Sequence, residues 1–407
     1  MAVGEGKIKN LFPVPGVSLG VTCAGIKNYD KNDLVIFELA PGNTMAGVFT
    51  KNAFCAAPVQ VAKQHLASAT PTRFWVINTG NANAGTGDRG YQDALDTCAK
   101  LAAVKGCPIE AVLPFSTGVI GEYLPMDRLL EGIPNVLEAM DPENWLDAAK
   151  GILTTDTRPK AITLQFEFED ETITVTGISK GAGMIKPNMA TMLAFVATDA
   201  PVAQEILQEI LQEANEHSFN RITVDGDTST NDACVLTATG QASVSKCDST
   251  KHPLFVPLKK TVAEVLLHLA QAIVKDGEGA NKFVTVQVEQ AANTKEALEV
   301  AYTVAHSPLV KTALTASDAN WGRILAAVGR SEIDALDVNK VDIFLGDVCI
   351  VEQGGKHPAY TEEAGTAVMS EEEITIRICL NRGDIADQVY TTDLSYDYVR
   401  INAEYRT

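Results

Sequence analysis

The chain has 407 residues, of which 46% are hydrophobic and 21% charged, an ordinary globular composition that excludes wholesale disorder. Acidic residues outnumber basic ones by 52 to 33, giving a net charge of −19. No basic face is therefore expected to neutralise phosphates, and nucleic acid is not an expected partner. The length allows two to three domains of ~150 residues, or one large α/β unit, with an ample core.

In chain order, Lys7 and Lys9 precede a weakly apolar stretch from Leu11 to Ile26. Pro13, Pro15, Gly16 and Gly20 interrupt it and no small-residue cleavage site follows, so a secretory signal is not expected. No run of apolar residues is long enough for a membrane span. The eight cysteines (Cys23, Cys55, Cys98, Cys107, Cys234, Cys247, Cys349 and Cys379) form no CxxC pair. They read as reduced, mostly buried thiols in a cytoplasmic protein.

Residues 74–78 are a short apolar run bounded by Pro71 and Gly80, and predict a strand. Residues 91–104 predict a helix. Residues 111–115 predict a strand that ends near Phe115, with Ser116, Thr117 and Gly118 as a turn beyond it. Ile162, Leu164, Phe166 and Phe168 alternate through residues 161–168, Glu169 to Glu171 turn, and residues 173–178 return as the second strand of a hairpin. Residues 192–196 predict a buried strand. Residues 202–219 and 261–274 predict amphipathic helices, the first with Ile206, Ile210 and Leu211 on its stripe, the second with Val262, Val265, Leu266, Leu269 and Ile273. Residues 341–351 and 374–380 predict two more strands. Hairpins mixed with amphipathic helices predict α/β or α+β layers rather than a purely parallel doubly wound sheet. No repeat and no Pro/Gly/Ser linker divides the chain.

Two motifs invite functional readings that fail on spacing. Gly85, Gly87 and Gly90 spell GxGxxG, but the residues from Thr79 onward separate them from the preceding strand, and Glu110 precedes the second strand instead of ending it. The dinucleotide fingerprint needs its glycines at the strand-to-helix turn itself, so a backbone-rich loop from Asn78 to Gly90 is the better reading. Asp225, Asp227, Asn231 and Asp232 could offer oxygen ligands, yet Thr230 and Leu236 stand where a calcium loop has Gly and Glu. Asx and Ser/Thr turns explain that composition equally. His65, His217, His252, His268, His306 and His357 are scattered without a zinc spacing, and His268 reads as a packed helix residue. Arg382, Gly383 and Asp384 read as a turn.

The informative segment is KGAGMIKPNMATMLAF at 180–195. Gly181 and Gly183 follow a strand, Pro187 fixes the chain, and Ala190–Thr191 opens the apolar run. A Thr placed so can attack the Ala190 carbonyl. The N→O acyl shift yields an ester that water opens, freeing Thr191 with its own α-amine. That amine, with a reference pKa of ~7.7–8.0, can serve as base near neutral pH. The plain alternative is a β-branched residue starting a strand.

This segment resembles the processing site of the ornithine acetyltransferase family, the bifunctional glutamate N-acetyltransferases of arginine biosynthesis. The resemblance extends, in family order, to NTGNANA (78–84), STGVIG (116–121), TTDTRPK (154–160), VDGDTSTND (224–232), KDGEGA (275–280), SDANWGR (317–323) and DLSYDYVRIN (393–402). It implies a layered α-ββ-α fold similar to N-terminal-nucleophile hydrolases. It implies cleavage between Ala190 and Thr191 into an α chain (1–190) and a β chain (191–407) that stay associated, with two such pairs per assembly. Thr191 is the implied nucleophile with its α-amine as base, and Thr117 with Gly118 the implied oxyanion hole. Lys180 and Glu278 are the implied charged substrate contacts, with Thr154, Thr191, Asn402 and Thr407 beside them. The implied reaction is ping-pong transfer of acetyl from N-acetylornithine to glutamate, with no cofactor and no metal. Some members also accept acetyl-CoA as donor, but no CoA motif is legible. Two other classes stay open: an N-terminal-nucleophile aminopeptidase on a similar fold, and a nucleotide-binding oxidoreductase on the GxGxxG reading.

Overall fold

The computed structural model describes residues 2–27, 30–186 and 192–404. Ala190, Thr191 and Thr407 lie outside the described residues. The chain divides into two units, one of Lys7–Asn220 with Thr228–Ile273, the other of Met1–Gly6, Arg221–Asp227 and Val274–Thr407.

The first unit holds strands β1 (Val17–Thr22), β2 (Leu34–Leu39), β3 (Thr44–Phe49), β4 (Phe74–Asn81), β5 (Val112–Val119), β6 (Lys160–Phe168), β7 (Glu171–Lys180), β8 (Leu193–Thr198) and β9 (Ala233–Ala238). Its helices are α1 (Ala57–Leu66), α2 (Gly87–Lys105), α3 (Met126–Glu138), α4 (Trp145–Gly151), α5 (Gln204–Glu216) and α6 (Phe255–Lys275), the last of which runs across the unit boundary. One sheet has the order β1-β2-β4-β5 and the other β3-β9-β8-β7-β6. Strand β2 shows how residues are divided between layers. Val35, Phe37 and Leu39 enter the core between the sheets, while Leu34 and Ile36 face α2 and α3. That division follows from the period-2 alternation of strand side chains. Phe195 of β8 closes the inter-sheet core, 5.5 Å from the Phe37 ring and 5.1 Å from Phe115. Behind the second sheet, Gln204 of α5 hydrogen-bonds the Met45 backbone, and Gly177 of β7 lets Val265 and Leu269 of α6 approach. The helix–sheet–sheet–helix order is the layered arrangement expected from the resemblance.

The hairpin at 161–178 forms as expected, with Phe168 opposite Glu171 and a two-residue turn of Glu169 and Asp170 at φ 49 and 63. Those left-handed angles match the twist of a tight hairpin. Three expectations need correction. Strand β5 does not stop near Phe115 but continues through Ser116, Thr117 and Gly118 to Val119, because Asn78 to Asn81 of β4 pair alongside. His268 sits on the exposed side of α6, not packed within it. Residues 341–351 are a hairpin, described below. The GxGxxG glycines also have a packing account: α2 begins at Gly87, and a Cβ on Gly90 would lie 1.8 Å from Thr86 Oγ1. The α2 helix does connect the parallel neighbours β4 and β5.

The second unit contains β10 (Phe283–Ala291), β11 (Asp342–Leu345), β12 (Val348–Glu352), β13 (Gly355–Lys356), β14 (Glu373–Cys379) and β15 (Ile385–Thr392). With them are α7 (Thr294–Ala305), α8 (Pro308–Thr315), α9 (Trp321–Gly329), α10 (Glu362–Met369) and α11 (Tyr396–Ala403). The sheet order is β13-β12-β11-β14-β10-β15, with β10 and β14 parallel. Val300, Val304 and Val328 of α7 and α9 pack with Val286, Ile343 and Ile376 of the sheet. Gly346, at φ 55, turns β11 into β12, which divides the single strand expected over 341–351.

Candidate active site

Strand register brings the site's first-unit residues together. Lys180 ends β7 and pairs with Leu193 of β8, which pairs in turn with Ala233 of β9. Lys180, Met192 and Asp232 therefore share one end of the second sheet. The other sheet contributes Thr117 and Gly118 from the end of β5. Gly118 adopts φ 138 where the β4–β5 register shifts, and a Cβ there would fall 2.2 Å from the Gly80 carbonyl carbon. Only glycine fits so close an approach at that angle.

Lys180 is buried at 9% exposure, not a solvated strand end, and its Nζ donates to Thr117 Oγ1 at 3.1 Å. An ammonium has no acceptor, so the Thr117 oxygen must accept and its own O–H proton is left to point elsewhere. Thr117, Lys180, Gly181, Met192, Asn231 and Asp232 line a cavity of about 30 Å³. Asn231 braces its floor, donating through Nδ2 to the carbonyls of Ala82 at 2.6 Å and Ser116 at 2.9 Å.

Two buried carboxyls flank Lys180 and behave oppositely. Asp156 accepts from Lys160 Nζ at 2.6 Å, from the Gly181 N–H at 2.7 Å and from the Thr154 N–H at 3.2 Å. Burial alone would raise its pKa, but the Lys160 and Lys180 ammoniums and the Gly181 N–H hold the carboxyl well below the usual range. For Asp232 burial prevails and pushes the carboxyl well above that range, with the Ser229 hydrogen bond and the Lys180 charge offsetting only part. Thr154 thus reaches this cluster through its N–H, from a half-buried position.

The second unit places Glu278 and Asn402 together. Glu278 is buried at 7% exposure and its Oε2 accepts from Asn402 Nδ2 at 2.8 Å. Asn402 projects from α11, whose cap Ser395 accepts from the Tyr398 N–H and donates to the Gly279 carbonyl at 2.7 Å. Asp393 fixes the rest of the Glu278 loop, accepting from the N–H groups of Asn281 at 2.8 Å and Lys282 at 3.1 Å. Burial, together with Asp225 and Glu278, pushes the Tyr398 phenol up, so it stays protonated and donates to Asp225 Oδ2 at 3.4 Å.

Of the expected site residues, Thr117, Gly118, Thr154 and Lys180 converge in the first unit, and Glu278 with Asn402 in the second. Sequence reasoning missed Asp156 and Asp232 as site residues, although both lie inside quoted segments. The sequence pattern around Asp232 fits an oxygen ligand or an Asx turn, and among the described residues no His, Cys, Asp and Glu group is arranged to hold a metal ion.

Residues 18–407 match the model of the ArgJ family. The arginine biosynthesis bifunctional protein ArgJ of Pseudomonas syringae pv. tomato is 56% identical over 407 residues, covering 100% of both chains. Among solved structures, the arginine biosynthesis bifunctional protein argJ of Bacillus halodurans is 39% identical with a TM-score of 0.48, covering 50% of this chain and 95% of that one. Ornithine acetyltransferase complexed with ornithine, from Mycobacterium tuberculosis, is 37% identical with a TM-score of 0.41, covering 44% and 94%. With a family match from residue 18 to the last residue and full-length identity to a curated relative, the chain belongs to the ArgJ family.

Proposed function

We infer that the chain is an acyltransferase of arginine biosynthesis, a glutamate N-acetyltransferase that moves acetyl from N-acetylornithine to glutamate. The observation that carries this is 56% identity along the full length to a bifunctional arginine-biosynthesis protein. The first-unit cavity suits acyl transfer, because the Thr117 hydroxyl that lines it is a donor of the kind a tetrahedral oxyanion needs, with the Gly118 backbone next in the chain.

On this reading the chain cuts itself between Ala190 and Thr191 into pieces 1–190 and 191–407. The Thr191 Oγ then attacks the acetyl carbonyl of N-acetylornithine while the Thr191 α-amine takes the hydroxyl proton. The carbon–nitrogen bond breaks, the proton passes to the departing α-nitrogen, and ornithine leaves an acetyl ester on Thr191. The amine of glutamate attacks that ester and the Thr191 hydroxyl is restored. Lys180 takes the α-carboxylate of each amino acid and Glu278 its ammonium, with Thr154, Asn402 and Thr407 as polar contacts. Opposite charges at the two ends fix the direction of a zwitterion. The cycle needs no cofactor. Acetyl-CoA as a second donor stays unassigned, because no CoA-binding motif is legible. Two α/β pairs in the cytoplasm complete the reading.

The test is a burst experiment. N-acetylornithine alone should release about one ornithine per site and add one acetyl mass to the 191–407 piece. Glutamate should then restart turnover and give N-acetylglutamate. Sustained release of ornithine and acetate without glutamate would make the chain a hydrolase of the aminopeptidase type. Thr191→Ala should remain one chain without activity, and cleavage in that variant would assign the cut to an outside protease.

A further inference from the structure

The acyl-transfer reading leaves one buried group of the cavity unused, the carboxyl of Asp232. This residue is 2% exposed and sits at the entrance of β9. Its carbonyl accepts from the Thr50 N–H at 2.9 Å, and the N–H of the next residue, Ala233, donates to the Met192 carbonyl at 2.9 Å. The backbone on both sides is therefore fixed by the sheet. Asp232 lines the same cavity as Thr117 and Lys180, and its Oδ2 has no hydrogen-bond partner among the described residues. A buried polar atom without a partner is expensive and calls for an explanation.

Asp156 provides the contrast. It borders the same lysine, yet backbone and ammonium donors saturate it. Carboxyls whose surroundings push them apart take different roles, one a fixed charge and the other a neutral acid. Burial pushes the Asp232 carboxyl well above the usual carboxylate range, which favours its protonated form. A neutral acid presents an O–H, so the missing partner is an acceptor. The nearby Lys180 charge disfavours a metal ion or an ammonium in that place. The ligand chemistry left is a carbonyl oxygen on which negative charge develops.

We propose that Asp232 is a catalytic hydrogen-bond donor, its carboxylic acid O–H directed to the oxygen of the acyl group bound in this cavity beside the Thr117 hydroxyl. The proposal rests on the acyl-transfer reading and adds a donor to it. The titratable groups facing Asp232 are Lys180 at the end of β7 and the Cys55 thiol, with Lys63 of α1 next to that thiol.

The experiment compares full-length wild type, Asp232→Ala and Asp232→Asn for acetyl transfer from N-acetylornithine to glutamate, with rates normalised to the cleaved chain by intact mass. Asp232→Ala should lose about 10²–10³-fold in kcat with little change in KM, while Asp232→Asn, whose carboxamide still donates, should stay within about 10-fold of wild type. Wild-type kcat should fall on the alkaline side as Asp232 ionises, and Asp232→Asn should lack that fall because Lys180 and Cys55 are unchanged. A folded Asp232→Ala chain that stays uncut, while Asp232→Asn cuts, also counts for the proposal, since the Ala190 carbonyl would use the same donor. Wild-type kcat in Asp232→Ala would overturn it, as would an Asp232→Asn enzyme as slow as the alanine variant. If Asp232→Ala does not fold, an Asp232→Asn profile that keeps the alkaline fall overturns it instead. Wild type that makes no N-acetylglutamate would fail the transferase reading first, and the donor role with it.

Discussion

Replacing Asp156 by alanine should damage the first unit more than any surface change could. Its carboxylate is completely enclosed, with side-chain exposures of 1% for Lys160 and 0% for Asp156. Alanine removes the partner of a buried ammonium and the acceptor for the N–H groups of Gly181 and Thr154. Breaking a buried pair from one side costs about 3–5 kcal/mol, because the remaining charge is stranded away from water. At about 2–4 °C per kcal/mol for a unit of this size, the melting temperature should fall by roughly 6–20 °C. Thermal melts at one protein concentration would measure it, alongside Lys160→Met and Asp156→Leu/Lys160→Met. The double variant should recover part of the loss, with a coupling of about 1–3 kcal/mol. Recovery should be incomplete because Lys180 also faces Asp156. The pH dependence has a definite sign. The folded pKa is depressed, so the stabilisation is present above the ordinary value of ~3.9 and is lost only as pH falls through the lower folded value. The Asp156 carboxyl is ionised at pH 8 and pH 5 alike, so its own titration leaves the deficit of the alanine variant unchanged between them, whereas loss of the stranded ammonium's proton at the higher pH relieves part of it. A deficit below about 1 kcal/mol at pH 5 would refute the buried-charge account.

Thr117→Ala should lower kcat by about 10²–10³-fold with KM nearly unchanged, as measured by N-acetylglutamate formation; a KM effect at normal kcat would make Thr117 a substrate contact. Gly118→Ala should give little folded protein, because its Cβ would meet the Gly80 backbone at 2.2 Å, and a cooperative melt near that of wild type would contradict the strand geometry. Glu278→Gln keeps an acceptor for Asn402 but loses the charge, so KM should rise for N-acetylornithine and glutamate together; a rise for only one would end the shared-pocket reading.

The sequence was most legible where a local rule sufficed. Alternation through Phe168, a two-residue turn and a second alternating run could form little except the β6–β7 hairpin. The α-ββ-α layering and the cleavage segment came from motif resemblance, not from periodicity. Where a neighbour distant in the chain decides the outcome, local pattern failed. Gly118 reads as a turn residue until Gly80 is seen pairing beside it. Helix α6 begins at Phe255, six residues before the expected start, because Pro257 lies in its first turn, where no intrahelical N–H bond is lost. Asp156 and Asp232 look alike in sequence, two acids in polar loops. Only burial and the placing of Lys160 and Gly181 push one carboxyl below the usual carboxylate range and the other above it.

The order β3-β9-β8-β7-β6 has a consequence for reversibility. A cut after Ala190 leaves β3, β6 and β7 on one polypeptide and β8 and β9 on the other. The later piece then supplies the two central strands of a sheet whose flanks belong to the earlier piece, through six register pairs on each side. While the chain is whole, closing that sheet is an intramolecular event. Once it is cut, the same closure becomes an encounter between two molecules, each with bare strand edges inclined to pair with themselves. Unfolding should thus be recoverable before the cut and depend on concentration after it. On the self-cleavage reading, folding comes first and cutting second, and the cut molecule keeps no easy route back from denaturation.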